Sequence, residues 1–360
     1  MKSDVLSDIL SMNLKELESL MASLNQPTYR AAQVFEWLHK RGASSFQEMD
    51  NLPKTLRIAL AERGRISACH LVELAVSKQD DTHKFLFELL NGLLIESVRM
   101  KYSFGHSICI STQAGCKMGC KFCASGANGL IRDLTAGEMC AQVYAAANYR
   151  AASNAPSKSP SIVLMGCGEP LDNFDSSLRF IELITHPKGA AIGARHITIS
   201  TCGLVPEIKK LADLKLQVNL AISLHAPDDH IRKALMPIAN RYPLNALMDA
   251  CRYYLAKTNR RITFEYSLIS GINDSPSHAT ALSKLLANML CHVNLIPVNP
   301  YSPDTSQNSN SRKYLPSTRK EAEAFASILE RKRIPTTIRR TIGADVNAAC
   351  GQLRAKGLSR

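Results

Sequence analysis

No apolar run in this chain approaches the ~18 residues that a membrane-spanning helix needs. Stretches such as Phe85–Leu90 and Leu93–Ile95 are short and broken by polar residues. A basic, acid-free leader is also missing. Asp4, Asp8, Glu16 and Glu18 stand near the start, which fits neither a signal nor a transit peptide, so the expected location is cytoplasmic. With 16 Pro and 18 Gly in 360 residues, the chain is not fibrous or of low complexity. Aromatic residues make up only 6%, with one tryptophan, Trp37, so stacking platforms are not advertised. Acid is scarce as well: 31 Asp+Glu against 44 Lys+Arg leave a charge of +13. What is present, 45% apolar and 21% charged residues, is ordinary globular usage. At roughly 150 residues per domain, the length allows one large domain and a small one.

The positive charge is uneven. Residues 1–70 hold nine Lys/Arg and eight Asp/Glu, whereas residues 301–360 hold twelve and five, more than half the excess in a sixth of the chain. Arg331-Lys332-Arg333 and Arg339-Arg340 read either as a solvated helix end and strand face or as a grip on phosphates. With a pI near 9.3, a polyanion such as RNA is the favoured partner.

Eleven cysteines are present, an odd number in a chain without an export signal, which argues against a disulfide framework. Cys69, Cys140, Cys167, Cys202, Cys251 and Cys291 are scattered and read as packing. Clustered cysteines in a reducing compartment are more often metal ligands or catalysts.

Leu14, Leu17, Leu20 and Met21, and then Val34, Phe35 and Leu38, recur at helical spacing. Residues 71–103 read as strands around turns at Gln79-Asp80-Asp81 and Asn91-Gly92, the second a type I′ signal. Residues 1–103 are thus expected to form a small accessory region of helices followed by a hairpin. From residue 104 to residue 360, six near-continuous apolar strands alternate with helix-like segments. The strands are Ile108–Ser111, Ile162–Met165, Ile197–Ser200, Val218–Leu224, Ile262–Ile269 and Val293–Val298. The helical segments include Ala136–Asn148, Pro206–Leu214, Leu244–Leu255, Ser277–Met289 and Thr318–Lys332. Such alternation predicts an α/β fold with a parallel sheet, open or curled into a partial barrel, binding ligands at the carboxyl ends of its strands. The polar clusters Gly166–Pro170, Ser200–Gly203, Ser223–His225 and Asn299 fall at those ends.

The strongest chemical signal is the CxxxCxxC run Cys116, Cys120 and Cys123 after the first of these strands. Soft thiolates select iron–sulfur clusters or zinc. A structural zinc needs a fourth ligand, and the candidate His106 precedes the strand. Three ligands instead leave one iron of a 4Fe–4S cluster open.

This spacing on a βα barrel resembles the radical SAM superfamily, and Gly166-Cys167-Gly168-Glu169-Pro170 resembles its GGEP element. The likeness extends to one family, the RlmN/Cfr RNA methyltransferases. It is carried by Tyr29-Arg30-Ala31, Asn51-Leu52-Pro53-Lys54, Leu134–Gly137, Ser200-Thr201, Ser223–Pro227, Asn294–Pro300 and Ala348–Leu353, in order along nearly the whole chain. The resemblance implies a partial (βα)6 radical SAM barrel, one 4Fe–4S cluster per chain and two S-adenosylmethionine molecules per turnover. It implies a cytoplasmic monomer served by an electron donor such as flavodoxin. Its substrate would be an adenosine of 23S rRNA, methylated at carbon 2 by RlmN types and at carbon 8 by Cfr types, with certain tRNAs also modified by the former.

Both adenine carbons are electron-poor, so neither attacks a methyl sulfonium directly, and the cofactor must supply radical chemistry. In the family, one S-adenosylmethionine methylates a C-terminal cysteine, here matched by Cys350. A 5′-deoxyadenosyl radical from a second then activates that S-methyl group, which adds to the ring as a covalent adduct. The position matching the base that takes the ring proton is Glu96. The position matching the thiol that releases product and leaves a disulfide is Cys109. The matching cofactor contacts are Gly168, Glu169, Ser200, Ser223, Leu224, His225 and Asn299. Taken alone, Glu96 in a hairpin strand reads as a solvated edge charge and Cys109 as a packed thiol.

Phe35–Leu38, Gly168–Pro170 and Ile222–Pro227 are RlmN-like. Met100-Lys101-Tyr102, Cys109-Ile110-Ser111, Gly129-Leu130 and Leu235–Ile238 are closer to Cfr, and Thr341-Ile342-Gly343 departs from the RlmN pattern. The target carbon is therefore open. A radical SAM enzyme acting on a peptide would explain Cys116–Cys123 but leaves Cys350 and the basic C-terminal region without a role. A non-catalytic RNA-binding protein with structural zinc leaves the carboxyl-end motifs without one.

If the C-terminal charge grips phosphates, neutralising Arg331, Lys332 and Arg333 should weaken RNA binding. The salt slope should flatten by up to about one unit per lost phosphate contact. Equal slopes in variant and parent would mark those residues as a solvated face.

Overall fold

The computed structural model describes residues 6–149, 159–299, 314–348 and 351–353. Strand β1 (Ser7–Asp8) pairs in parallel with β2 (Gly64–Arg65), enclosing helices α1 (Leu14–Ser23), α2 (Tyr29–His39) and α3 (Lys54–Arg63). A capping box between Asn13 and Glu16 starts α1, which buries Leu17 and Met21. Helix α2 buries Val34, Phe35 and Leu38, the expected stripe. The Asp8 carboxylate accepts from the Thr135 hydroxyl at 2.8 Å, and the Gly137 amide donates to Ser11 Oγ at 2.7 Å. The N-terminal strap is thereby fastened to the start of α4 (Ala136–Asn148).

Three antiparallel strands follow, β3 (His70–Val76), β4 (His83–Glu88) and β5 (Leu94–Tyr102), and β5 pairs with β6 (Gly105–Cys109). The Asn91-Gly92 turn is not type I′. That turn needs positive φ at both central residues, and of the pair only Gly92 has it, at 79°. The Gly92 amide bonds to Leu89 O, and the Leu89 amide to Leu93 O, both at 2.8 Å. The hairpin is closed by a three-residue connection, with glycine taking the left-handed position.

Beyond β6, a short ribbon of β7 (Gln113–Gly115) and β8 (Leu130–Asp133) brackets the CxxxCxxC loop. The parallel strands are β9 (Ser161–Leu164), β10 (Ile197–Thr201), β11 (Asn219–Ser223), β12 (Ile262–Leu268), β13 (Cys291–Pro297) and β14 (Thr336–Ile338). They are linked through α5 (Phe174–Thr185), α6 (Val205–Asp213), α7 (Asp229–Leu235), α8 (Leu244–Thr258), α9 (Pro276–Leu285) and α10 (Arg319–Arg331). All but the short pieces join one 10-stranded sheet ordered β14-β13-β12-β11-β10-β9-β6-β5-β4-β3. All six expected parallel strands are present. Three further elements are α5, α7 and β14. The seven-residue α7 is too short to display a period, and the three-residue β14 is a strand only because β13 pairs with it.

The expectation of near-continuous apolar strands needs correction. Ile162, Leu164, Ile197, Ile199, Leu220, Ile222, Phe264, Tyr266, Val293 and Leu295 are fully or almost fully buried in the core shared with the helices. The alternate positions, including Ser161, Thr198, Asn219, Thr263, Glu265 and Asn294, line an open space inside the curled sheet. One face is dry and the other faces a lumen, so each strand alternates at period two. Among the described residues no helix is long and apolar enough to cross a membrane.

The neighbours Thr263 and Phe264 test this division. Phe264→Ala should cost about 3–5 kcal/mol by leaving a cavity in the core, whereas Thr263→Ala should cost less than about 1 kcal/mol. Equal losses in urea unfolding midpoints would contradict the two-faced reading.

Candidate active site

The loops at the carboxyl ends of the strands surround a cavity of about 140 Å³. Cys116, Cys120 and Cys123 line it from the loop between β7 and β8. Gly168, Glu169, Ser200, Ser223, His225 and Asn299 line it from the ends of β9, β10, β11 and β13. Leu224 does not: its side chain is fully buried in the core, and its amide donates to Glu265 O at 3.0 Å. Cys350 lies outside the described residues.

The thiol loop is held at several points. The Cys116 amide donates to Gly129 O at 2.9 Å, and the Lys121 amide to Leu235 O, the last residue of α7, at 2.9 Å. Gly115 has φ +81°, and a Cβ there would lie 2.0 Å from Gly129 O, so no other residue closes this ribbon. Burial pushes the Cys116 thiol up to about 12, with the nearby Cys123, Glu169 and Cys167 adding to the rise; Cys120 is raised further by burial and its neighbouring thiols. Such thiols ionise when a cationic metal centre compensates them. Three thiols around one cavity wall fit a multi-iron cluster, in which each sulfur binds its own iron.

Glu169 ties two strand ends together. Its carboxylate accepts from the Cys202 amide at 2.7 Å and the Leu171 amide at 3.1 Å. Burial raises its pKa, and these amides pull it back. The Thr201 and Cys202 side chains also bond to it, so the carboxylate is held in place at the cavity wall. His225 has φ 55° and accepts from the Ser267 amide through Nδ1 at 2.9 Å. Its proton is therefore on Nε2, and burial followed by the Arg232 charge holds its pKa down to about 3, a neutral ring. The ring packs edge-on against Phe122, with centroids 4.9 Å apart.

Cys109 and Glu96 lie beside the cavity rather than among its lining residues. Cys109 pairs with Val98 in the ladder. Glu96, two residues before Val98, therefore shares its face of the sheet. Contrary to the edge-charge expectation, Glu96 is only 4% exposed and ion-pairs with Lys84 at 2.8 Å. The C-terminal segment covers this face. Cys109, Val98 and Met100 pack with Ala348 and Leu353, and Lys84 Nζ donates to Asn347 O at 3.1 Å. Past Cys350 the segment is stitched to the thiol loop. The Ala124 amide donates to Gly351 O at 2.7 Å, and Ser125 Oγ to Leu353 O at 2.8 Å. Gly351 and Leu353 line the same cavity as the three thiols. No disulfide joins two described cysteines.

Four buried amides that the sequence did not mark organise the loops. Gln142 accepts from the Ser111 amide and the Ser97 hydroxyl. Gln113 bridges Asp133, Asp172 and the Glu169 amide. Asn173 donates to Thr112 O and Leu134 O. Asn273 donates to His225 O and Ser267 O. The fully buried Arg232 donates to Cys202 O at 2.7 Å. Cys202, expected as packing, in fact lines the cavity. An Asn or Gln beside an apolar run is the one available signal for such hubs, and it is weak.

Residues 7–66 match the ribosomal RNA large subunit methyltransferase N-terminal domain family, and residues 110–282 match the radical SAM superfamily. The chain is 49% identical over 349 residues to a probable dual-specificity RNA methyltransferase RlmN of Clostridium novyi, covering 97% of this chain and 98% of that one. It is 47% identical over 351 residues to the protein of the same name from Lachnospira eligens, covering 98% and 97%. A crystal structure of a radical SAM methyltransferase from Sphaerobacter thermophilus superposes with a TM-score of 0.90 at 44% identity, covering 96% of this chain and 99% of the other.

Anaerobically reconstituted protein should absorb broadly across the visible, and Cys120→Ala should lose that absorption, because three protein ligands leave none to spare. An unchanged spectrum in the variant would exclude Cys120 as a ligand.

Proposed function

This chain belongs to the RlmN family of radical SAM RNA methyltransferases, and from that premise we propose that it methylates carbon 2 of an adenosine in 23S rRNA, with tRNA as a second substrate. The cluster and S-adenosylmethionine together supply the methyl group and, on one-electron reduction by a donor such as flavodoxin, a 5′-deoxyadenosyl radical. Cys116, Cys120 and Cys123 hold the cluster. Gly168, Glu169, Ser200, Ser223, His225 and Asn299 hold the S-adenosylmethionine, with Leu224 fixing the backbone between Ser223 and His225.

Cys350 accepts a methyl group and carries it to the adenine ring as a covalent adduct. Glu96, steadied by Lys84 at 2.8 Å, takes the ring proton. The one electron left over from the radical addition would return to the cluster. The Cys109 thiolate then attacks the Cys350 sulfur, and the C–S bond breaks with its electron pair on the ring-borne carbon. That carbon takes up a proton to become the methyl group, and the two cysteines are left as a disulfide that a reductant reopens. Residues 1–103 act as an accessory RNA-binding region beside the 104–360 barrel, in a monomeric cytoplasmic enzyme. The observation that carries this reading is the stitching of Gly351 and Leu353 to Ala124 and Ser125. It ties the segment that follows Cys350 to the loop that follows Cys123, at the cavity both line. Mass spectrometry of adenosines in rRNA and tRNA, from cells with and without the protein, reports substrate and carbon together. 8-Methyladenosine alone would replace the carbon-2 assignment.

The two thiol roles separate on a denaturing gel. Cys350→Ala should neither accept labelled methyl nor link to RNA. Cys109→Ala should load Cys350, add to adenine and stall as a covalent protein–RNA band. The same pattern from both variants, or turnover by either, would overturn these roles.

A further inference from the structure

Below the cofactor cavity, at the amino ends of the parallel strands, the lumen opens into a second cavity of about 1420 Å³, an order of magnitude larger. Met165, Glu265 and Arg339 line both cavities and form the partition between them.

The charge of this lower mouth is one-sided. Lys101, Arg260, Arg261, Arg339 and Arg340 line it against Asp80 and Glu265, although Lys101 pairs with Asp81 at 3.3 Å and Arg339 acts on Glu265. Neutral donors hold these acids without cancelling their charge, so the surplus rests on Arg260, Arg261 and Arg340. Asp80 accepts from the Thr82 and Gly343 amides at 3.2 and 2.8 Å, and Glu265 accepts from Asn294 Nδ2 at 2.9 Å. Arg260 spends its donors on neutral acceptors, Val218 O at 2.9 Å, Asn219 Oδ1 at 2.6 Å and Gln217 Oε1 at 3.3 Å, which orient the guanidinium without cancelling its charge. Arg261 and Arg340 are exposed and make no ion pair with a described residue. At the rim, Ser103 and Phe104 form the two-residue turn between β5 and β6. Phe104 stacks on Tyr102, with centroids 5.0 Å apart and planes 7° apart, yet remains 63% exposed. An exposed aromatic on a tight turn, backed by a second ring and sharing one cavity with arginines that make no ion pair with a described residue, is the combination that takes an unpaired base and its phosphates.

We infer that this lower mouth is where the substrate RNA docks, with an unpaired base beside the target adenosine stacked on Phe104 and flanking phosphates held by Arg261 and Arg340. The inference rests on the RNA-methyltransferase reading and adds the entry side: the nucleotide reaches the cofactor cavity from the amino ends of the strands, past Glu265 and Arg339. Single-stranded RNA fits better than duplex, because a paired base cannot offer its face to Phe104.

The test is fluorescence anisotropy of the full-length protein with a labelled RNA stem-loop whose loop contains adenosine, and with the fully paired duplex of the same stem. Phe104→Ala should weaken stem-loop binding about tenfold, leave the weaker duplex binding unchanged, and be rescued by Phe104→Trp. The double substitution Arg261→Ala and Arg340→Ala should weaken both RNAs and lower the log–log salt slope by about one to two units. Because Phe104 is exposed, a thermal melt matching that of the parent accompanies the loss. Stem-loop binding by the parent with unchanged affinity in all three variants overturns the docking side and leaves the functional reading standing. A parent that neither binds nor methylates the stem-loop overturns both.

Discussion

Everything in this fold follows from the two-faced character of its parallel strands. One side chain in two is a large apolar group buried against the helices, and the next is a small or polar one, Ser161, Thr198, Asn219 or Thr263, turned inward. A barrel lined by bulky branched residues packs solid. Here the inward positions leave a lumen, and the curled sheet becomes a passage with a cavity walled by the three thiols at the carboxyl ends and a broad mouth at the amino ends. The driving force resides in the outer face, so the inner face is available for chemistry.

The second constraint is how the loops above the sheet are held. Loops at strand ends carry backbone groups that must find partners, and four buried amides, Gln113, Gln142, Asn173 and Asn273, supply them. Each ties at least two segments distant in sequence. Glu169 does the same between the ends of β9 and β10.

The C-terminal segment completes the site from outside the barrel repeat. Gly343, at φ +66°, turns the chain where a Cβ would collide with Ala348 and Thr82 at 2.8 Å, and its amide is anchored on Asp80. The segment then crosses the face shared by Lys84, Glu96 and Cys109 before Gly351 and Leu353 reach the thiol loop. The β3–β5 hairpin that supplies Lys84 and Glu96 extends the main sheet. The hairpin is therefore both wall to the site and link to the N-terminal helices.

The sequence by itself determined the local features. Helix α4, the six strands set between helical segments, the CxxxCxxC spacing and the polar clusters at strand ends were all legible, because each is written in neighbouring residues. The tertiary structure alone decided the features made by pairing across the chain. Strand β14 exists through β13, the Asn91-Gly92 turn takes its type from the register of β4 on β5, and Glu96 is buried because Lys84 and the C-terminal segment cover it. Cys202 proved to be cavity wall, and Arg232 and the amide hubs became visible only once their distant partners were placed. A period can be read from one stretch of sequence, but a hydrogen bond between residues 124 and 351 needs both ends in space.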